Sequence, residues 1–109
     1  MKKLLLLVFI ALPSLFSSAQ TNYGVKFSDA IISRWPNGIN SMTSKGWEYS
    51  NSIVLLGMAD IYDKTNNANY LTYIKTYIDG YIGSDGTAVT SSLTQNLDKI
   101  HPGMLCLWL

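Results

Sequence analysis

Between Tyr70 and Ile82 the apolar and aromatic positions advance in alternating steps of three and one: Tyr70, Tyr73, Ile74, Tyr77, Ile78, Tyr81 and Ile82. That spacing puts all seven on one stripe of an α-helix. Thr72, Lys75, Thr76 and Asp79 fall on the other side, with Lys75 and Asp79 placed to pair at i, i+4. The segment predicts an amphipathic helix with one wet face, whose tyrosines are core residues. Gly83-Ser84-Asp85-Gly86 then predicts a turn.

The stretch before it has a different pattern. From Tyr49 to Asp63 the apolar residues Ile53, Val54, Leu55, Leu56, Met58, Ala59, Ile61 and Tyr62 cover most of a helical circumference. A helix apolar nearly all round is surrounded by protein. Gly57 inside it points to a close helix approach. Lys64-Thr65-Asn66-Asn67 is a polar connector with turn formers. Further upstream, Phe27, Ala30, Ile31 and Trp35 show helical spacing over residues 25–35, closed by Pro36-Asn37-Gly38. Residues 37–46 read as a loop. Residues 87–95, rich in Ser and Thr, read as an extended excursion or an irregular loop. Pro102 then sits at the start of an apolar helix that runs to Leu109.

A helix buried all round, then one with a wet face, then the start of another apolar helix suggest two concentric layers. The expected class is all-α, a helical repeat or α/α toroid. No stop signal follows Trp108-Leu109, so the sequence is expected to be the N-terminal part of such a fold.

The first residues stand apart from this pattern. Lys2 and Lys3 precede an apolar run from Leu4 to Leu12, and Ser17 and Ala19 close it with small side chains. That order predicts a secretory signal peptide over residues 1–19, cleaved after Ala19. The run is shorter than the ~20 residues a membrane-spanning helix needs. The expectation is an exported protein, periplasmic or secreted, without a membrane partner once the leader is gone. The mature domain is then residues 20–109, with six basic and seven acidic side chains and a net charge of −1. It has no basic patch, which argues against a nucleic-acid partner. Cys106 is the single cysteine, so the domain holds no internal disulfide and folds by packing alone. In an apolar helix it is expected to be a small buried side chain.

Candidate chemistry gathers in Asn96-Leu97-Asp98-Lys99-Ile100-His101-Pro102-Gly103, which holds an acid and the only histidine. By itself Asp98 reads equally as a helix-capping acid. His101 has no partner at metal-ligand spacing. Trp47 and Tyr49 flank Glu48 at the entrance of the second helix, where the aromatics fit sugar contact or core. Glu48 reads as an exposed cap.

In this order, Gly46-Trp47-Glu48-Tyr49, Leu56-Gly57, Asp60-Ile61-Tyr62, the Tyr70–Tyr81 stripe, Asp85-Gly86 and Asn96–Gly103 resemble the unsaturated glucuronyl and rhamnogalacturonyl hydrolases of glycoside hydrolase families 88 and 105. The likeness spans about residues 26–109 and fits the rhamnogalacturonyl enzymes best. The resemblance implies an (α/α)6 barrel, here its N-terminal part. It implies removal of a 4,5-unsaturated uronic acid from oligosaccharides that a polysaccharide lyase has produced. An Asp would protonate the C4=C5 vinyl ether, water would add at C5, and the product would rearrange with loss of the glycosidic bond. No metal or other cofactor is implied. Asp98 matches an acidic residue beside the general acid, a supporting carboxylate. The general acid itself falls on a later helix of the family that these residues do not reach. Trp47 and Tyr49 match the aromatic entrance of the first inner helix. His101 is a further candidate substrate contact, beside the alternative of a plain loop residue ahead of Pro102-Gly103. Two other readings carry the same aromatic stripes: a non-catalytic helical-repeat protein that binds glycans, and an inactive fragment.

Overall fold

A computed structural model of the chain describes residues 20–43, 46–89 and 97–109. The leader expected over residues 1–19 and most of the Ser/Thr-rich stretch lie outside the described residues. Among those described, regular structure is helical apart from one isolated antiparallel bridge between Ile82 and Ala88. In chain order the helices are α1 (20–34), α2 (Asn40–Thr43), α3 (Tyr49–Thr65), α4 (Ala68–Asp79), α5 (Leu97–Ile100) and α6 (Gly103–Trp108). The all-α class expected from the periodicity is the one observed.

The hub is α3, against which α2, α4, α5 and α6 all pack. It ends where Asn66 takes the left-handed conformation and its N–H donates to the Tyr62 carbonyl. Asn67 then accepts from the Asn69 N–H and opens α4. Two consecutive asparagines thus stop one helix and start the next, giving a tight helical hairpin. Its seam is the expected stripe: Tyr70, Tyr73, Ile74, Tyr77 and Ile78 are buried, facing Leu55, Met58, Ala59 and Ile61 of α3. Burying a side chain such as Leu55, Ile74 or Leu105 contributes about 1.5–3 kcal/mol each. On the wet face Lys75 and Asp79 pair at 2.6 Å.

Four expectations need correction. The inward face of α1 is rotated: Ser28 and Ile31 are buried while Phe27 and Ala30 are exposed. Beside this apolar contact α1 is tied to the hairpin by two hydrogen bonds, the Tyr70 hydroxyl donating to Asp29 at 2.8 Å and the Tyr73 hydroxyl to the Trp35 carbonyl at 2.7 Å. The close helix approach is at Gly24, where a Cβ would run into the Ile61 side chain, whereas a Cβ on Gly57 would meet open space. The segment read as a loop contains the single turn α2, and Ile39 just before it is fully buried. Cys106 is exposed on α6. Leu105 is the buried position of that helix, and the next residue is turned about 100° from it.

Candidate functional site

The entrance of α3 is braced before it becomes helical. The Tyr77 hydroxyl donates to the Gly46 carbonyl at 3.1 Å and accepts from the Glu48 N–H at 3.3 Å. The Asn51 amide also donates to the Gly46 carbonyl, at 2.8 Å, and its oxygen accepts from Thr43. Burial of the Tyr77 ring holds its phenol well above the ordinary tyrosine range, so it stays a neutral donor. Trp47 lies parallel to the Tyr77 ring at 5.7 Å and is tilted against Tyr81 at 5.3 Å.

The Asp98 segment closes onto this entrance from the far end of the sequence. The Trp47 indole N–H donates to the Lys99 carbonyl at 2.8 Å. The Lys99 ammonium donates to Glu48 Oε2 at 2.7 Å. Ser52 Oγ lies 2.6 Å from His101 Nδ1 and 2.8 Å from the Tyr49 carbonyl. A hydroxyl has one proton, and the carbonyl can only accept. The Ser52 proton therefore goes to Tyr49, and His101 Nδ1–H donates to Ser52.

The four expected site residues are consequently brought to one end of α3, in different surroundings. Asp98, in the first turn of α5, is exposed. Tyr49 is 44% exposed in the first turn of α3. His101 is half-buried and committed to Ser52 through one nitrogen. Trp47 is 4% exposed, with Tyr77 along one face, so it is a packing residue here and no platform for a sugar ring. Its aromaticity alone could not distinguish the two roles.

Glu48 is the residue the sequence reading missed. It is 8% exposed and carries the Lys99 ammonium. Its partner lies 51 positions away. The local signal was a lone glutamate between two aromatic residues, which hinted at burial without naming the cation.

Of two open hollows only one borders the Asp98 turn, and neither is lined by Asp98. One, lined by Leu97, Ile100, His101, Gly103, Met104 and Leu107, is almost wholly apolar. The other runs between the end of α1 and α4, past Asp29, Ser33, Asn37, Asn69 and Thr72. Among the described residues no group of three or more His, Cys, Asp or Glu could hold a metal ion. None of the described helices is long and apolar enough to cross a membrane.

Chemically, the cluster offers one solvent-exposed carboxylate on a turn held by part-buried polar ties. The model for Glycosyl Hydrolase Family 88 matches residues 23–109, which takes in every part of this cluster. The chain belongs to that family. The fold implied by Family 88 is the (α/α)6 barrel, of which the described helices form a part. Family 88 comprises glycoside hydrolases of unsaturated uronic acid substrates, so the ligand class of the family is carbohydrate. Neither the curated proteins nor the solved structures include a match to the chain.

Proposed function

We propose that this Family 88 domain serves rhamnogalacturonan breakdown by removing the 4,5-unsaturated uronic acid from lyase-generated oligosaccharides, with Asp98 as the supporting carboxylate of the site. Family membership supports the general reaction class. The observation that carries the residue assignment is the exposed Asp98 carboxylate on a one-turn helix tied to the α3 entrance.

The reaction is a hydration. A carboxylic acid delivers a proton to C4 of the vinyl ether and water adds at C5. The resulting hemiketal opens to a ketone, and the anomeric carbon, now a hemiacetal, releases the sugar alcohol. No carboxylate attacks the anomeric carbon, unlike ordinary glycoside hydrolysis. The proton donor is a second acid of the Family 88 site. A negative Asp98 beside it raises its pKa by like-charge repulsion, which keeps it protonated near neutral pH. Glu48 is held by Lys99 and takes no part in proton transfer. Tyr49 is the remaining sugar contact at this end of α3, since His101 is committed to Ser52. The domain works outside the cytoplasm, delivered by the leader over residues 1–19.

The test is turnover by the protein expressed with whatever its reading frame encodes beyond Leu109. An unsaturated galacturonyl-rhamnose disaccharide should lose its enol-ether ultraviolet absorbance and release rhamnose, while its saturated analogue stays intact. Cleavage of the saturated analogue at a similar rate, or no turnover of unsaturated substrates, would overturn the proposal.

A further inference from the structure

The helix that carries Asp98 cannot hold itself. It has four residues, fewer than a helical nucleus needs to persist in water. Apolar burial does not hold it either: none of its residues is buried, and Leu97 and Ile100 are 81% and 67% exposed. Polar ties to the α3 entrance hold it. The carbonyl of Lys99 takes the Trp47 indole proton, its ammonium takes Glu48, and the His101 ring donates to Ser52. The receiving side is rigid. Trp47 is stacked on Tyr77, the Glu48 N–H is bonded to the Tyr77 hydroxyl, and Ser52 is fully buried within α3. Downstream, buried Pro102 and Leu105 fix the other end of the turn.

We propose that Lys99 and His101 are positioning residues that dock the Asp98 turn onto the α3 entrance through Glu48 and Ser52, and so fix where the Asp98 carboxylate stands. The docking stands on geometry alone; its consequence for turnover rests on the role given to Asp98 above. Lys99 and His101 act through the backbone they hold and carry no proton in the reaction. The one exposed carboxylate of the cluster is thus set in place by side chains about fifty positions earlier in the chain.

The Trp47 indole proton reports docking independently of activity. In Lys99→Met, exchange of that proton should accelerate about ten- to hundredfold, the value of one charge-assisted hydrogen bond. The amides of Leu55 and Ile74 should keep their protection. Turnover of the unsaturated disaccharide should fall in kcat by a similar factor, with little change in KM, and Lys99→Arg should restore much of it. Glu48→Gln should match Lys99→Met, and the double variant should be no worse than either, because both break one tie. His101→Asn keeps a donor near the position of Nδ1 and should retain kcat, whereas His101→Ala should lose it.

Unchanged indole exchange in Lys99→Met would overturn the proposal. So would loss of protection throughout α3 and α4, since the tie would then hold the whole core and not one turn. Equal losses in His101→Asn and His101→Ala would assign the ring to substrate and remove it from the docking set. Normal turnover in Asp98→Asn would instead sink the role of Asp98 and leave the indole result to be judged by itself.

Discussion

The indole N–H of Trp47 donates to the backbone carbonyl of Lys99 at 2.8 Å across 52 positions of sequence, while the same ring lies parallel to Tyr77. One side chain therefore joins the α3 entrance, α4 and the Asp98 turn. The two contributions separate by substitution. Trp47→Phe keeps an aromatic body and loses the donor, and should cost about 1 kcal/mol plus a small packing loss. Trp47→Ala removes both and should cost about 3–5 kcal/mol. Urea unfolding midpoints measure the difference, and equal costs would mean that the stacking contributes nothing.

The two lysine–carboxylate pairs should differ sharply. Lys75 and Asp79 are both exposed and pair on the wet face of α4, so Asp79→Asn should change stability by less than about 0.5 kcal/mol. Glu48 and Lys99 are largely withdrawn from water. Glu48→Ala removes a charge-assisted bond and should cost about 1.5–3 kcal/mol, confined to the turn that the bond docks. Denaturant titrations of the two variants check this ordering.

Two glycines should respond to alanine with opposite signs. Gly46 has φ +69°, and a Cβ there would come within 2.5 Å of the Tyr81 hydroxyl. Gly46→Ala should lose about 1–2 kcal/mol from the left-handed backbone alone. Gly57 lies inside α3 with open space where its Cβ would be. Gly57→Ala should gain about 0.5–1 kcal/mol from helix propensity. Thermal melts of the pair would show the midpoint moving down in one and up in the other.

Alkaline pH should unfold the hairpin. Burial raises the phenols of Tyr77, Tyr73 and Tyr70 above 10.0, with the hydrogen bond to Asp29 adding to the effect at Tyr70. A raised folded-state pKa means that the unfolded chain loses its proton first. The stability linked to these three groups is therefore complete below pH 10.0 and declines as pH rises above it. Helical circular dichroism should fall together with the appearance of tyrosinate absorbance from these three phenols, at a pH above 10.0. A single phase near pH 10.0 would contradict the burial of the three.

The hairpin was legible because its pattern is local. The Tyr70–Ile82 stripe repeats on a helical period, and Asn66-Asn67 marks the reversal between its two arms, so periodicity and turn chemistry agree. The α1 face was misread because Phe27 is the larger hydrophobe but Ser28 shares a stripe with Ile31; size outweighed phase. Gly57 was given a packing role that belongs to Gly24, since a glycine in a helix carries no record of what lies opposite. The Asp98 neighbourhood was visible as a stretch, but its construction was not. Glu48 with Lys99, Ser52 with His101 and Trp47 with the Lys99 carbonyl are pairings about fifty residues apart, and none has a local signature. That is why Glu48 read as an exposed cap and Trp47 as a possible sugar platform.

The role of Asp98 is tested by turnover of an unsaturated galacturonyl-rhamnose disaccharide by Asp98→Asn, compared with the parent protein expressed with whatever its reading frame encodes beyond Leu109. Asp98→Asn should lose most of kcat while the Trp47 indole exchange stays unchanged, because the three ties to α3 run through Trp47, Lys99 and His101. Full turnover in a folded Asp98→Asn would contradict it.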